Sequence, residues 1–376
     1  MSLRSGGSRA STAVSAALTQ VCQGRWGSSE LSPRQRDEFV DAVRLHRIAP
    51  LAHVVTRGVA PELSERLKPD RDRAFATNFA AGALLAEIDR LLAGIVWVTF
   101  KGPVLSMSAH PAPGLRSFTD IDVLVDPGQL RTVCELLAAA GWKLIDYDDM
   151  LAARPAPGEM HWASPSGLLV DLHWAMINRE ARRERFRIPT GELLQRQQNV
   201  SVGFAKVPTL DAPDALIHVC IHASLDGANR LLQLVDADGL ARQVQDWPAL
   251  AERAKRWRAG VQVWLVLSRA RAVLGTPLPD DLCAMLGVPW GMRVLFDVVD
   301  RLAPVARARS EHGLARLVAR AAHPTLDATL SMLLRNSLQG IRDRIRPPVA
   351  RSGRVAAEPA TVSAFFSEVE ERHAQA

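Results

Sequence analysis

The chain has 376 residues, 48% hydrophobic and 23% charged, which is long enough for two or three units with sizeable cores and excludes a disordered chain. A formal charge of +6 suits an anionic partner, but the basic residues are scattered, and Lys occurs only at Lys68, Lys101, Lys143, Lys206 and Lys255, so an extended nucleic-acid surface is not expected. The four separated cysteines, Cys22, Cys134, Cys220 and Cys283, exclude a zinc ribbon and a thioredoxin-like motif, and no apolar stretch reaches the roughly 20 residues of a membrane helix. Reduced thiols then point to the cytoplasm.

In chain order, residues 1–30 read as a flexible N-terminus. Its first 29 residues have no acidic group and carry Arg4, Arg9 and Arg25. That composition suits a transit-type leader or a frayed terminus, and the frayed terminus is preferred. An N-terminal helical region, 31–92, follows. Ser32-Pro33 opens a helix to about 46, a second covers 49–58, and a third runs from about 71 to 92. In the third, Phe75, Phe79, Leu85, Ile88 and Leu92 recur at helical spacing, which predicts one core-facing side.

At Gly94 the pattern changes, and residues 93–208 form the core domain of the reading. Ile95 to Phe100 reads as a buried strand, ended by Lys101-Gly102-Pro103, with Pro103 suited to a first helical turn. A Pro/Gly-rich loop covers 110–119. Ile121 to Val125 is a second strand, and Asp126-Pro127 caps a helix that ends near Ala140 at Gly141. Trp142 to Tyr147 reads as a further strand. Met160–Ala163 and Leu168–Trp174 flank Ser164-Pro165-Ser166-Gly167, a hairpin signal. One strand near 200–207 closes the sheet.

Residues 209–345 read as a C-terminal helical domain. Asp211 caps its first helix, and further helices lie near 229–244, 247–257, 260–274, 289–301 and 323–345. Residues 346–376 are a linker and a docking helix, with Val362, Phe365, Phe366 and Val369 on one face. The fold class is therefore α+β: a small mixed sheet flanked by N-terminal and C-terminal helical regions.

Asp120 and Asp122 are two apart on a strand, so both side chains point to one face. Their charges repel unless a cation matches them. A hard divalent ion with oxygen ligands, usually Mg²⁺, resolves the repulsion. Asp171 lies in the otherwise apolar run Leu168 to Trp174, where an unpaired carboxylate is costly. If the two strands are neighbours, three carboxylates converge.

The segments Phe100-Lys101-Gly102-Pro103-Val104-Leu105, Pro113-Gly114-Leu115-Arg116-Ser117-Phe118-Thr119-Asp120-Ile121-Asp122-Val123-Leu124-Val125 and Val170-Asp171-Leu172-His173-Trp174 resemble an uncharacterised nucleotidyltransferase family of the DNA polymerase beta superfamily. Its members read L-K-G, then G-x-R-x-x-x-D-[IL]-D-[LIV]-L-[VI], then [VI]-[DE]-[LI]-H-W. Some belong to biosynthetic clusters for ribosomally made peptides, lasso peptides among them. The resemblance implies a metal site at Asp120, Asp122 and Asp171, with Asp171 also placed to act on an acceptor hydroxyl. It implies Mg²⁺, with Mn²⁺ as the alternative ion, and a nucleoside triphosphate as substrate. It further implies an unidentified acceptor, a small molecule, peptide or protein. The wider superfamily has Gly-Ser at the strand–helix turn. Here the turn is Lys101-Gly102-Pro103, so phosphate contact passes to Lys101, Gly102 and Arg116.

Plainer readings stand beside these. Lys101 also suits a solvated strand end, and Arg116 a structural partner of Asp120. Asp126 reads as a helix cap. Asp236 either lines a nucleotide or acceptor cleft, as in similar members, or pairs with a nearby Arg. His173 and Trp174 read as packing beneath the site. His218 and His222, four apart on one helix face, read as satisfied histidines rather than a zinc pair. No P-loop, dinucleotide-binding glycine motif, nucleophile elbow or kinase signature occurs. Two further functions compete with a metal-dependent nucleotidyltransferase: a catalytically quiet nucleotide- or peptide-binding module, and a toxin-like transferase acting on tRNA.

Overall fold

A computed structural model describes residues 12–27, 31–310, 312–345 and 356–374. The chain forms two compact units assembled from alternating segments. The first comprises Met1–Ala76, Ser108–Ser117 and Leu216–Pro347, and the second Thr77–Met107, Phe118–Ala215 and Pro348–Ala376. The α+β class is as expected, with one seven-stranded mixed sheet among helices. No described helix is long and apolar enough to cross a membrane.

The named elements of the first unit are all helices. Ser32 caps helix Pro33–Leu45 in a full capping box with Gln35, the arrangement that Ser32-Pro33 announces. Helices Ala49–Thr56, Leu231–Ala241, Trp247–Arg256, Gly260–Leu274, Trp290–Leu302 and Leu326–Ile345 match expected segments to within a few residues. Within the expected flexible N-terminus, Thr12–Cys22 is instead a helix that buries Val14, Ala17, Leu18 and Val21. Residues 1–11 lie outside the described residues, as do 346–355 of the expected linker.

The helix expected at 71–92 starts earlier, at Pro61, and runs 31 residues to Leu91 with Pro69 inside it. Pro69 is exposed, while Leu63 and Leu67 are buried. The burial of that face holds the helix through a residue that ordinarily interrupts one. The predicted core face is correct for Leu85, Ile88 and Leu92 but not for Phe75 and Phe79, which are 50% and 63% exposed. Phe75 lies under the Arg71 guanidinium at 5.1 Å. Phe79 meets the exposed Phe204 edge-on at 6.3 Å.

The second unit holds every described strand. These are β1 (Trp97–Phe100), β2 (Asp120–Val125), β3 (Lys143–Leu144), β4 (Glu159–Ala163), β5 (Leu169–His173), β6 (Gln198–Val202) and β7 (Ala205–Thr209). Their order in the sheet is β3-β4-β5-β2-β1-β7-β6. β2 is parallel to β5 and antiparallel to β1, and β4 is antiparallel to β5. The single strand expected near 200–207 is a hairpin of two, β6 and β7, turning at Gly203-Phe204. The strand expected over Trp142–Tyr147 is only two residues long.

Side chains alternate between the two faces of the sheet, and the central strands β1 and β2 are buried on both. One face gives Ile121, Val123, Val125, Met160, Trp162, Val170 and Leu172 to the core. There they join Leu130, Val133 and Leu137 of helix Leu130–Ala139, and Phe365, Phe366 and Val369 of helix Pro359–Ala374. The terminal helix thus docks by the residues that its sequence pattern singles out. The other face of β2, β4 and β5 carries the polar residues.

Candidate metal centre and active site

β2 and β5 are neighbours, and their register places Asp122 directly opposite Asp171. Directly opposed residues project to the same face. β4 extends that row, because His161 is opposite Asp171. In the adjacent row Leu124, His173 and Glu159 lie side by side across β2, β5 and β4. Asp120 shares the parity of Asp122 at the start of β2. Four carboxylates and two imidazoles therefore share one face of three adjoining strands.

Asp122 is the centre of this array and is 4% exposed. Its Oδ1 receives the Lys101 ammonium at 2.6 Å and stands 3.1 Å from His173 Nε2. Burial alone would push the Asp122 carboxyl up. The Lys101 charge and the His173 hydrogen bond outweigh it and hold the carboxyl far below the usual range. Lys101 is buried too, which disfavours its charge, but Asp122 beside it raises its pKa on balance. The backbone of Lys101 is left-handed, with φ 57°. This is uncommon for a residue with a side chain and persists where the surroundings hold it.

Asp171 behaves oppositely. Burial and the neighbouring Asp122 and Asp120 charges push it up to about 7, although His161 and His173 draw it down. Asp122 and Asp171 thus resist sharing a second negative charge, the condition that a cation relieves. One ligand atom from each of Asp122, Asp171 and His173 lies within 4.8 Å of the other two. His173 Nδ1 is buried and has no hydrogen-bond partner, although Glu159 Oε2 lies 3.3 Å away. Repelling carboxylates with an imidazole nitrogen beside them fit a bound divalent cation.

The remaining members brace these groups. His161 Nδ1 meets Asp146 Oδ1 at 2.6 Å, and Asp146 Oδ2 also accepts the His161 backbone N–H at 2.9 Å. His161 Nε2 faces Glu159 at 3.6 Å and Asp171 at 3.8 Å. Hydrogen bonds to Asp146 and Glu159 push the His161 imidazole up to about 10 against its burial. Burial raises Glu159, but His161 and His173 outweigh it and lower its pKa. Phe100 packs edge-on to His173 at 5.1 Å.

The other residues singled out by sequence are placed as follows. Gly102 begins helix Gly102–Ser108, and a Cβ there would stand 3.1 Å from the Asp120 carbonyl oxygen. Close packing of that turn on β2 therefore favours glycine. Asp126 is the N-cap of Pro127–Gln129, accepting from the Gly128 N–H at 2.8 Å. Arg116 and Asp236 both belong to the first unit and pair with each other: Arg116 Nε and Nη2 each meet the carboxylate at 3.0 Å. His110 Nε2 adds a contact to Asp236 at 2.8 Å. Burial raises the Asp236 carboxyl, but Arg116 and His110 outweigh it and lower its pKa. His218 and His222 stack with ring centroids 6.1 Å apart.

Glu159, His161, Asp146 and His110 were not anticipated as site residues. The signal for the first two was present, since Glu159-Met160-His161-Trp162 alternates polar and apolar as Asp171-Leu172-His173 does. Only the register of β4 on β5 shows that both polar sets share a face. His173, expected to pack beneath the site, is buried but turns a ring nitrogen onto Asp122.

Acidic and imidazole groups are gathered on one face of a mixed sheet, beside a Lys-Gly turn, and Asp122, Asp171 and His173 among them could hold a metal ion. A family model described as an uncharacterised nucleotidyltransferase matches residues 32–275, and the chain belongs to that family. No curated protein gives a match.

Proposed function

We propose that the protein is a divalent-cation-dependent nucleotidyltransferase that moves a nucleoside monophosphate from a nucleoside triphosphate to an acceptor and releases pyrophosphate. The observation that carries this reading is the register of Asp122 opposite Asp171, with His173 beside them, in a chain of this family. Asp120, Asp122 and Asp171 hold the cation, with Mg²⁺ the ion that the resemblance implies. When bound, the cation neutralises the triphosphate and the departing pyrophosphate. The acceptor oxygen bonds to the α-phosphorus as the bond to pyrophosphate breaks, and Asp171 takes the acceptor's proton. The Lys101 ammonium and the Gly102 turn face the phosphates. A phosphate role for Arg116 is what the resemblance implies, and its Nε and Nη2 are engaged by Asp236. Membership of the DNA polymerase beta superfamily, a cytoplasmic setting and a cluster-encoded peptide or small molecule as acceptor belong to the same proposal.

A second reading, the catalytically quiet binding module, is favoured by one feature. Lys101 already supplies Asp122 with a positive charge. Incubation with a divalent cation and each labelled nucleoside triphosphate separates the two. Transfer is expected as pyrophosphate release and label on an acceptor, and Asp120→Ala combined with Asp122→Ala should abolish it. Transfer that survives the double substitution rejects the site, and nucleotide binding without turnover selects the binding module.

A further inference from the structure

The family resemblance implies an ion held by oxygen alone, yet the donors on this face include nitrogen. His173 faces a carboxylate on each side of its ring, Asp122 Oδ1 at 3.1 Å from Nε2 and Glu159 Oε2 at 3.3 Å from Nδ1. A neutral imidazole has one N–H and one lone pair, so it satisfies only one of these neighbours and turns the lone pair on the other. With the proton on Nδ1, whose 3.3 Å contact to Glu159 falls short of a hydrogen bond, the Nε2 lone pair points at Asp122, and a cation held by both removes the conflict.

This is also how imidazole ligands are ordinarily supported, with the second ring nitrogen donating to a carboxylate that fixes tautomer and orientation. The separation agrees as well: donors about 2.1 Å from one ion stand about 3.0 Å apart at a right angle and about 3.4 Å apart at the tetrahedral angle, either side of the observed 3.1 Å. The pattern repeats one position along the sheet. His161 sets Nδ1 on Asp146 and turns Nε2 towards Asp171 at 3.8 Å and Glu159 at 3.6 Å.

We infer that the centre is built for a divalent first-row transition-metal ion of the Mn²⁺–Zn²⁺ series rather than for Mg²⁺, held by Asp122, Asp171 and His173 Nε2. Glu159, 3.3 Å from Nδ1, is the carboxylate placed to orient the His173 ring once the ion is bound. The Asp146–His161 pair is a positioning device that braces Asp171 from the opposite side. The inference rests on the proposed cation site and changes both its occupant and one ligand, His173 standing in place of Asp120. Imidazole nitrogen is a poor ligand for Mg²⁺, which demands oxygen and keeps its waters, and a good one for later first-row ions.

The test uses the full chain stripped of metal with a chelator. Binding of Mg²⁺, Mn²⁺ and Zn²⁺ is measured calorimetrically without nucleotide, and the Mn²⁺-loaded protein is examined by pulsed electron paramagnetic resonance for coupling to a ligated nitrogen. Zn²⁺ is expected to bind at least about a hundredfold more tightly than Mg²⁺, with nitrogen coupling in the native protein that His173→Gln abolishes. Glu159→Gln should weaken Zn²⁺ binding by about 10–100-fold, and it decides the matter if His173→Gln does not fold. Mn²⁺ binding without nitrogen coupling, or Mg²⁺ bound as tightly as Zn²⁺, overturns the inference and leaves an all-oxygen transferase site standing. Failure of all three ions to bind, with or without nucleotide, overturns the inference and the cation site together.

Discussion

Lys101 concentrates several physical demands in one residue. Its left-handed backbone costs on the order of 1–3 kcal/mol, and the return is an ammonium placed on a nearly buried carboxylate. Removing one member of a buried pair leaves the other charge uncompensated, at about 3–5 kcal/mol. Lys101→Met is therefore expected to destabilise the metal-free protein by about that amount, measured by urea unfolding. Manganese should return more stability to the variant than to the native protein, because the ion supplies the missing charge. Equal manganese effects would count against a cation next to Asp122. His46 gives a second test at this scale. It is wholly buried, its Nδ1 accepts the Leu231 N–H at 3.3 Å, and its carbonyl accepts the Leu232 N–H at 3.2 Å. Burial and the Arg230 charge lower it to about 4, although the Ala308 carbonyl opposes them. The folded pKa lies below the unfolded one, so the unfolded chain takes up the proton first. Stability is complete above about pH 6.5 and is lost as the pH falls towards 4, by about 3 kcal/mol. His46→Asn keeps an acceptor and does not titrate. It should flatten the stability profile over that window, and an unchanged slope would remove His46 from the account.

Elements whose pattern depends on local periodicity were legible in the sequence, and those that depend on distant partners were not. The Asp120-Ile121-Asp122 strand, the hairpin around Ser164-Pro165-Ser166-Gly167 and the terminal helix follow from alternation, turn residues and spacing. Phe75 and Phe79 fit the same helical face as Leu85, but nothing in their spacing says where the core stops. The β6–β7 hairpin turns on Gly203-Phe204 within a continuous polar-apolar run, so it reads as one strand. Arg116 and Asp236 are 120 positions apart, and no local pattern joins them. The segment that carries Arg116 packs on helix Leu231–Ala241 at Gly239, one helical turn beyond Asp236, where a Cβ would stand 2.0 Å from the Ala109 carbonyl oxygen. In an exposed helix Gly→Ala stabilises by up to about 1 kcal/mol. Here the contact is to backbone and cannot yield cheaply, so Gly239→Ala is expected to destabilise by about 1–3 kcal/mol. The Arg116→Ala cost should also shrink in the Gly239→Ala background. Additive costs in this double-mutant cycle would show that Gly239 and the ion pair are independent.

At the scale of the whole molecule, the chain passes repeatedly between its two units, and the sheet unit receives its last core residues from the far C-terminal segment. Phe365, Phe366 and Val369 are 0%, 7% and 0% exposed. Burying three such side chains is worth about 6 kcal/mol in all, which is comparable to the 5–15 kcal/mol that holds an ordinary domain together. The ion pair Arg131–Glu370, at 2.7 Å, is partly exposed and adds at most about 1 kcal/mol, so apolar burial decides the outcome. The same segment reaches the loop that carries Asp146: Ala356 bridges Tyr147, and the Ala357 N–H donates to the Asp146 carbonyl at 3.2 Å. Deleting residues 356–376 should therefore loosen the strands and release Asp146 from one restraint, although no residue of the segment belongs to the proposed cation ligands. Hydrogen exchange is the direct measurement. The amides of β2 and β5 are expected to lose most of their protection in the deleted chain, and Zn²⁺ affinity should fall with it. Native protection in β2 and β5 after the deletion would mean that the sheet stands without its terminal helix, and the burial of Phe365 would then be a contact of little energetic weight.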